Sequence, residues 1–341
     1  MRRTLAVTGV LAPLLAMAPA SAQDRVAVFG VLDTYVDHSK AGNARATRVQ
    51  SGGISGSRLG FRGSEDLGPG TKAIFLLEAG INLDDGSSGQ GGLRFGRQAW
   101  AGLGTAAGEL ILGRHYAPYF FTLVSHGLGG GMGWGNASNY FTDNSVLRVN
   151  NSISYASPSV GGVKARALVG FGENASLPGG DSIGSIHSAS LQVDQGGFSA
   201  NLAYLARKTT VANTERFYAA GASYQFGRVK AGLLLQARRG DTGAAENDAA
   251  EFNLLVPAGP GAFLFDVGRF RSRSVDHANA LAASVRYDYH LSKRSILYAG
   301  AARIRNDANA RFGINGNTGA ALAVAPGQDP RSLIVGVRHT F

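Results

Sequence analysis

The side chains with chemistry to offer in this chain are arginines, and they recur at every second residue. In the stretch 57–70, SRLGFRGSEDLGPG, Arg58, Gly60 and Arg62 share one side of a period-two pattern and Leu59 and Phe61 share the other. Alternation of this kind marks a strand, here closed by an acidic, Gly/Pro-rich turn. Two guanidinium groups on the face opposite the apolar one exceed what a solvated surface needs. Fixed cations on a strand face attract anions; they do not by themselves break bonds. Lys72 and Glu78 fall on one side of the run 72–82, and Arg148 falls on one side with Ser152 and Ser154. Around Arg97 the parity is open, because Phe95 and Trp100 demand opposite registers; an intervening bulge is one resolution.

Catalytic and metal chemistry find little support. The seven His show neither an HExxH pattern nor paired ligand spacing. No nucleophile elbow completes near Gly52, and the glycine-rich GMGWGN ending at Asn136 has Asn where a dinucleotide fingerprint needs Gly. Cysteine is absent, which removes disulfides, thiolate metal sites and thiol nucleophiles. The expectation is therefore no enzyme, no metal and no cofactor. The net charge of +10 is spread singly along strands. A lumen or a face fits that spread better than a nucleic-acid patch does.

The elements that must position these charges are strands. Residues 1–22 read as a cleaved secretory signal peptide: Arg2 and Arg3 are followed by a short apolar stretch and then Ala20-Ser21-Ala22. From Val26 onward the apolar period is two. It defines runs at 26–36, 57–63, 72–82, 95–103, 109–113, 150–156, 163–171 and 188–194. Further runs follow at 198–207, 217–226, 229–238, 251–256, 261–270, 279–291, 295–306 and 331–341. Short connections (64–71, 105–108, 158–162, 227 and 292–294) are set against long ones (37–56, 84–93, 114–149, 173–187, 240–250 and 307–330). Short turns at one end and long loops at the other are how outer-membrane barrels are built. No domain boundary is visible in 23–341.

Individual strands repeat the pattern of the first. Val163, Ala165, Ala167, Val169 and Phe171 oppose Lys164 and Arg166, and Leu281, Val285 and Tyr289 oppose Arg286, Asp288 and His290. In a soluble sandwich the apolar face turns inward; in a membrane barrel it meets lipid and the polar face lines the lumen. The leader, the length and the final strand, which ends on an aromatic at Phe341, favour the barrel. Tyr155, Tyr204, Tyr224, Tyr287, Tyr289 and Phe341 are candidates for interfacial girdles.

The blocks VAVFGVLD from Val26, KAIFLLE from Lys72, FGRQA from Phe95, LGR at Leu112, LSKR from Leu291 and the terminal VRHTF together carry a resemblance. In this order the chain resembles the general porins of the Gram-negative outer membrane, of the betaproteobacterial and neisserial type, above all their anion-selective members. The resemblance implies an all-β, 16-stranded antiparallel transmembrane β-barrel, its longest loop folded inward as a constriction after the fifth strand; 114–149 has that place and length. It implies a homotrimer in the outer membrane, among outer-membrane lipid and lipopolysaccharide, that passes small anionic or neutral solutes. It also implies that Phe341 is read by the barrel-insertion machinery.

Carried over residue by residue, the resemblance matches Arg58, Arg97 and Arg148 to an arginine cluster across the constriction. Glu78 matches the acid that accompanies it, and Arg62 and Lys72 are further lining charges. Many related porins oppose such a cluster with several loop carboxylates. Here the loop between Tyr116 and Leu147 offers Asp143 alone, with His126 earlier in the loop. Cations with few opposing acids predict anion preference. A substrate-specific channel for sugars or organic anions shares every one of these features and stands as the alternative.

Overall fold

The computed structural model describes residues 25–172 and 183–341. The signal-peptide reading of 1–22, and residues 173–182 of the expected connection at 173–187, lie outside the described residues. The strands are β1 (Arg25–Ala41), β2 (Ala44–Ser51), β3 (Arg58–Gly68), β4 (Thr71–Gly80), β5 (Gln98–Thr105) and β6 (Gly108–Tyr116). After a long excursion come β7 (Arg148–Ala156), β8 (Val163–Gly170), β9 (Ile186–Gln195), β10 (Phe198–Thr210), β11 (Asn213–Phe226) and β12 (Val229–Gly240). The chain ends with β13 (Asn247–Ala258), β14 (Gly261–Ser272), β15 (Ala280–His290), β16 (Ser295–Asn306) and β17 (Arg331–Thr340). Two short helices, α1 (Pro118–His126) and α2 (Ala137–Phe141), lie in the excursion between β6 and β7.

Apart from β2 and β3, which both pair with β1, successive strands pair antiparallel with each other, and β17 returns to β1, from Val31 opposite Thr340 to Lys40 opposite Arg331. β2 and β3 lie end to end along one side of β1, so the seventeen segments occupy sixteen positions around a closed barrel. Closure leaves no free edge, the condition for a sheet to cross a bilayer. No helix among the described residues is long and apolar enough to cross one. All sixteen runs expected from the sequence are strands. β1, however, continues five residues beyond Val36 to Ala41, and β2 occupies part of the stretch expected to be a connection at 37–56. Here the outward side carries His38 and Lys40 and the inward side Asp37 and Ser39, so no apolar face exists to announce the strand. For the same reason β10 and β11 meet across only 211–212, and β12 and β13 across 241–246, so the alternation of short and long connections is less regular than expected.

The sides of the sheet follow parity. Outward positions carry Phe61, Leu112, Leu202, Leu233, Phe265 and Val335, all exposed. Asp33, Asp37, Glu78, Asn201, Glu251 and Arg286 point inward and are buried. Tyr155, Tyr224 and Tyr289 are exposed near the short-turn end, Tyr155 donating to the Ala107 carbonyl of the β5–β6 turn. One arc of the inner wall is apolar instead. Leu168, Leu205, Phe217 and Leu234 are buried beneath Tyr119, Leu123, Val146 and Leu147 of the long excursion. A fully buried Leu contributes about 1.5–3 kcal/mol. This packing, inside the barrel, is what holds the excursion down.

Candidate permeation site

The site begins at a break in the wall. Between β2 and β3, residues 52–57 leave the sheet and turn into the lumen around the buried carboxylate of Asp33. Asp33 Oδ1 accepts from the Gly53 N–H at 3.0 Å, and Oδ2 accepts from Ile54 at 3.0 Å and Ser55 at 2.8 Å. Tyr298 Oη donates to Oδ1 at 2.5 Å. Ser57 Oγ takes over the ladder on β1, accepting from the Asp33 N–H at 3.0 Å and donating to its carbonyl at 2.8 Å. Buried N–H groups need acceptors, and one charged acceptor holding three of them fixes this bend.

The excursion 117–147 docks on that bend from the other side. The Trp134 N–H donates to the Gly53 carbonyl at 2.8 Å, and a Cβ on Gly133 would lie 2.7 Å from the Ile54 carbonyl oxygen, so only Gly permits the approach. Trp134 Nε1 donates to Ser332 Oγ at 3.0 Å, and Arg286 Nη1 donates to the Trp134 carbonyl at 2.8 Å. The N–H groups of Ala137 and Ser138, at the start of α2, donate to Asp266 at 3.0 Å and Glu251 at 2.6 Å. Wall carboxylates thus satisfy donors that a helix start leaves unpaired. From the neighbouring β16–β17 side of the wall the 307–330 connection also turns in, where the Asn317 N–H donates to the Gly52 carbonyl at 2.6 Å.

These three inward segments and the β1–β5 wall enclose a cavity of about 620 Å³. Its centre is Tyr116, whose Oη accepts from Arg97 Nη2 at 2.9 Å and from Arg148 Nη2 at 2.7 Å. The Arg148 guanidinium also lies 4.6 Å from the Tyr116 ring centroid. Arg97 Nε donates to Glu78 Oε1 at 2.6 Å, both side chains almost fully buried. Arg58 lines the same cavity and donates to Ser55 Oγ at 3.1 Å. Three guanidinium groups therefore face one carboxylate. Arg97 Nη1 and Arg148 Nε have no protein partner, and a Cβ on Gly56 would stand 2.5 Å from that Nη1.

The expected site residues divide. Arg58, Arg97, Arg148 and Glu78 come together, and Arg62 lines the edge of the cavity, 5.4 Å from the Phe29 ring. Lys72 sits opposite Asp66 near the β3–β4 turn, exposed and away from the lining. Asp143 lies elsewhere, against Arg207 at 3.1 Å and Arg238 at 3.5 Å on the far wall, where Glu215 joins both arginines at 2.5 Å. Burial opposes ionisation of Asp143, but the Ser145 hydroxyl and N–H with the two guanidinium groups outweigh it and hold the carboxyl below its usual range. His126 is buried with its ring against Gly221, on the seat of the loop.

The ambiguity around Arg97 has a simple cause: β5 begins only at Gln98, whose face Trp100 shares, and Arg97 precedes the strand. The parity that groups Arg148 with Ser152 and Ser154 is broken by a register shift between β6 and β7, with Asn151 at φ 46°. Arg148 reaches the cavity from the first residue of β7, opposite Tyr116. Tyr116, the bend at 52–57 and Asn317 were not singled out by sequence. The one available signal was Asp33, an acid inside an otherwise apolar strand, together with the Gly52-Gly53 pair.

A closed antiparallel sheet with apolar residues outside, charges inside and a loop laid across the lumen is a membrane channel of the outer-membrane barrel class. The family model for Gram-negative porins matches residues 6–309. Outer membrane porin protein 32 of Delftia acidovorans is 34% identical over 97% of this chain and 98% of its own. Major outer membrane protein P.IB of Neisseria meningitidis is 29% identical over 55% of this chain and 56% of its own. The solved anion-selective porin from Comamonas acidovorans superposes with a TM-score of 0.84 at 30% identity, covering 94% of this chain and all of that one. The chain belongs to the Gram-negative porin family and is a diffusion channel of the outer membrane.

Proposed function

We propose that this porin passes small hydrophilic solutes with a preference for anions, and that Arg58, Arg97 and Arg148 set that preference. The observation that carries the reading is the imbalance in the cavity: three guanidinium groups around Tyr116 against the single carboxylate of Glu78. Glu78 has a positioning role, holding Arg97 upright, and Arg62 adds charge at the edge. Asp143 is neutralised at the far wall and sets no opposing field. A low-dielectric wall strengthens the net positive potential across the opening. The anion-selective relative from Comamonas acidovorans supports the same reading. The function needs no reaction and no cofactor. Residues 1–22 serve as the export signal, Phe341 as the mark for the insertion machinery, and three copies assemble in the membrane. Zero-current potentials across a planar bilayer in a KCl gradient test the proposal. An anion preference that falls in Arg58→Ser supports it, and cation preference in the unaltered protein overturns it.

A further inference from the structure

The interior holds a second cavity that permeation does not use. It has a volume of about 190 Å³ and lies between the end of α2 and the far wall, toward the long-loop end of β11 to β14. One strip of chain separates it from the arginine cavity. Asn139 and Asn144 border the arginine cavity, while Tyr140, Phe141, Thr142 and Asp143 between them border this one, and the two share no residue. The second cavity sits at a seam in the interior packing. On one side Tyr119 and Phe217 belong to the apolar cluster under α1, their rings 6.0 Å apart and edge to face. On the other, Phe141, Phe270 and Phe312 pack with the cluster of Trp134 and Tyr298; Phe312 lies 4.6 Å from Phe270 and 5.0 Å from Phe141. Folded interiors leave few voids larger than a water molecule, and an apolar cavity of about 150 Å³ takes up benzene. The space here suits one ring with a small substituent.

The polar groups left over at this cavity are donors. Gln236 Oε1 accepts from Tyr119 Oη at 2.9 Å and from Thr142 Oγ1 at 2.8 Å, which fixes the amide and leaves Nε2 without a partner among the described residues. Arg238 donates to Glu215 but stands 3.5 Å from Asp143, and its buried Nε has no partner. Asp143 keeps Ser145 and Arg207 whether or not Arg238 stays beside it. A matching ligand has a flat apolar ring and an acceptor, and a charged acceptor gains most from Arg238. We infer that this cavity binds a monocyclic aromatic carboxylate, its ring between the two aromatic groups and its carboxylate toward Gln236 Nε2 and Arg238. Rings in such a setting pack offset or edge to face. A hexose suits the volume but not the chemistry, because its hydroxyls need acceptors and the nearby carboxylates, Asp143 and Glu215, are held by Arg207 and Arg238. Spanning the end of α2 and β12, the ligand braces the strip from behind without standing in the pore. The inference does not depend on the anion preference of the arginine cavity.

The test titrates para-fluorobenzoate into the intact protein in detergent micelles and follows the fluorine resonance against empty micelles. Binding should saturate. Gln236→Glu keeps an acceptor for Tyr119 and Thr142 but puts a negative charge where the free donor was, and should weaken binding about tenfold or more. Phe270→Leu should weaken it roughly threefold, and para-fluorobenzyl alcohol should bind about tenfold more weakly than the acid. Arg58→Ser should bind as the unaltered protein does, which separates this site from the arginine cavity. Heat-modified gel migration checks folding, and Phe270→Leu carries the test if Gln236→Glu fails it. In single-channel records benzoate should quiet the open-channel noise and leave the conductance unchanged. The inference is overturned by an absence of saturable binding, by undiminished binding in either folded variant, or by displacement of the probe with glucose. Loss of binding in Arg58→Ser or block of the conductance overturns it too, since either would place the probe in the pore.

Discussion

Two arcs of the inner wall, both built from inward-pointing residues at alternate positions, end in opposite environments. On β3, β4 and the start of β7 the inward residues are Arg58, Glu78 and Arg148, and they border an open cavity. On β8 to β12 they are Leu168, Leu205, Phe217 and Leu234, and the excursion 117–147 covers them. Facing inward is therefore not one environment. The first arc is a lining, where charge borders a cavity that the inward segments leave open. The second is a core, where the same orientation demands apolar bulk. Asp143 marks the boundary: it belongs to the loop, yet it is spent on anchoring to Arg207 and Arg238, which leaves the first arc electrostatically one-sided.

The largest effect should come from the lining. Arg97→Ser leaves Glu78 buried without its partner, a loss of about 3–5 kcal/mol. The reversal potential should move toward cations and the heat-denaturation midpoint should fall together. On the opposite arc Leu123→Ala should cost about 2–4 kcal/mol by opening a cavity under α1. There the midpoint should fall and open-channel noise rise while anion selectivity persists; selectivity lost in step would show that the two arcs are not separate. Arg58→Ser, with its one hydrogen bond to Ser55, should leave the midpoint in place and lower the anion-to-cation permeability ratio by roughly twofold to fivefold, as expected for one partly screened unit charge. That effect should shrink in concentrated KCl.

Asp143→Asn should be the mildest. It should loosen the loop slightly and leave selectivity unchanged, since the carboxylate faces the far wall. Its pKa is depressed in the fold, so its contribution is present above the ordinary Asp value and is lost as pH falls through the lower folded value. Loosening should therefore appear only below about pH 4, seen as acid-induced channel noise that the Asn variant shows at every pH. A shift centred near neutral pH would point to another group.

Much of this was legible in the order of residues, because a lipid-facing strand must be apolar at alternate positions. Leu59 and Phe61 against Arg58 and Arg62 already separate lipid from lumen. The expected strand failed where that contrast fades, at His38 to Lys40, above the apolar band. The bend at 52–57 was illegible for another reason: its cause, Asp33 holding three N–H groups, spans two strands and has no local pattern. Arg97 and Arg148 could be matched by resemblance, but their convergence on Tyr116 depends on a bulge and a strand start that parity arithmetic cannot supply. The division of the inward face into lining and seat follows from where the long excursion lands. Leu205 and Leu234 hinted at it only as apolar residues on the polar side of their strands.

The pairing of β17 with β1 also governs the order in which this molecule can come into being. Val31 meets Thr340, and the Gly30 and Phe341 peptide groups bond to each other in both directions at 3.1 Å. Fifteen of the sixteen seams join neighbours in the chain and can zip locally; this one must wait for the last strand. Until then both β1 and β17 present open edges to anything that can add a strand, and contacts of such long range form slowly. Assembly is thus a race between closing this seam and pairing with the wrong partner, and residues at its start, Gly30, Val31, Thr340 and Phe341, also line the cavity.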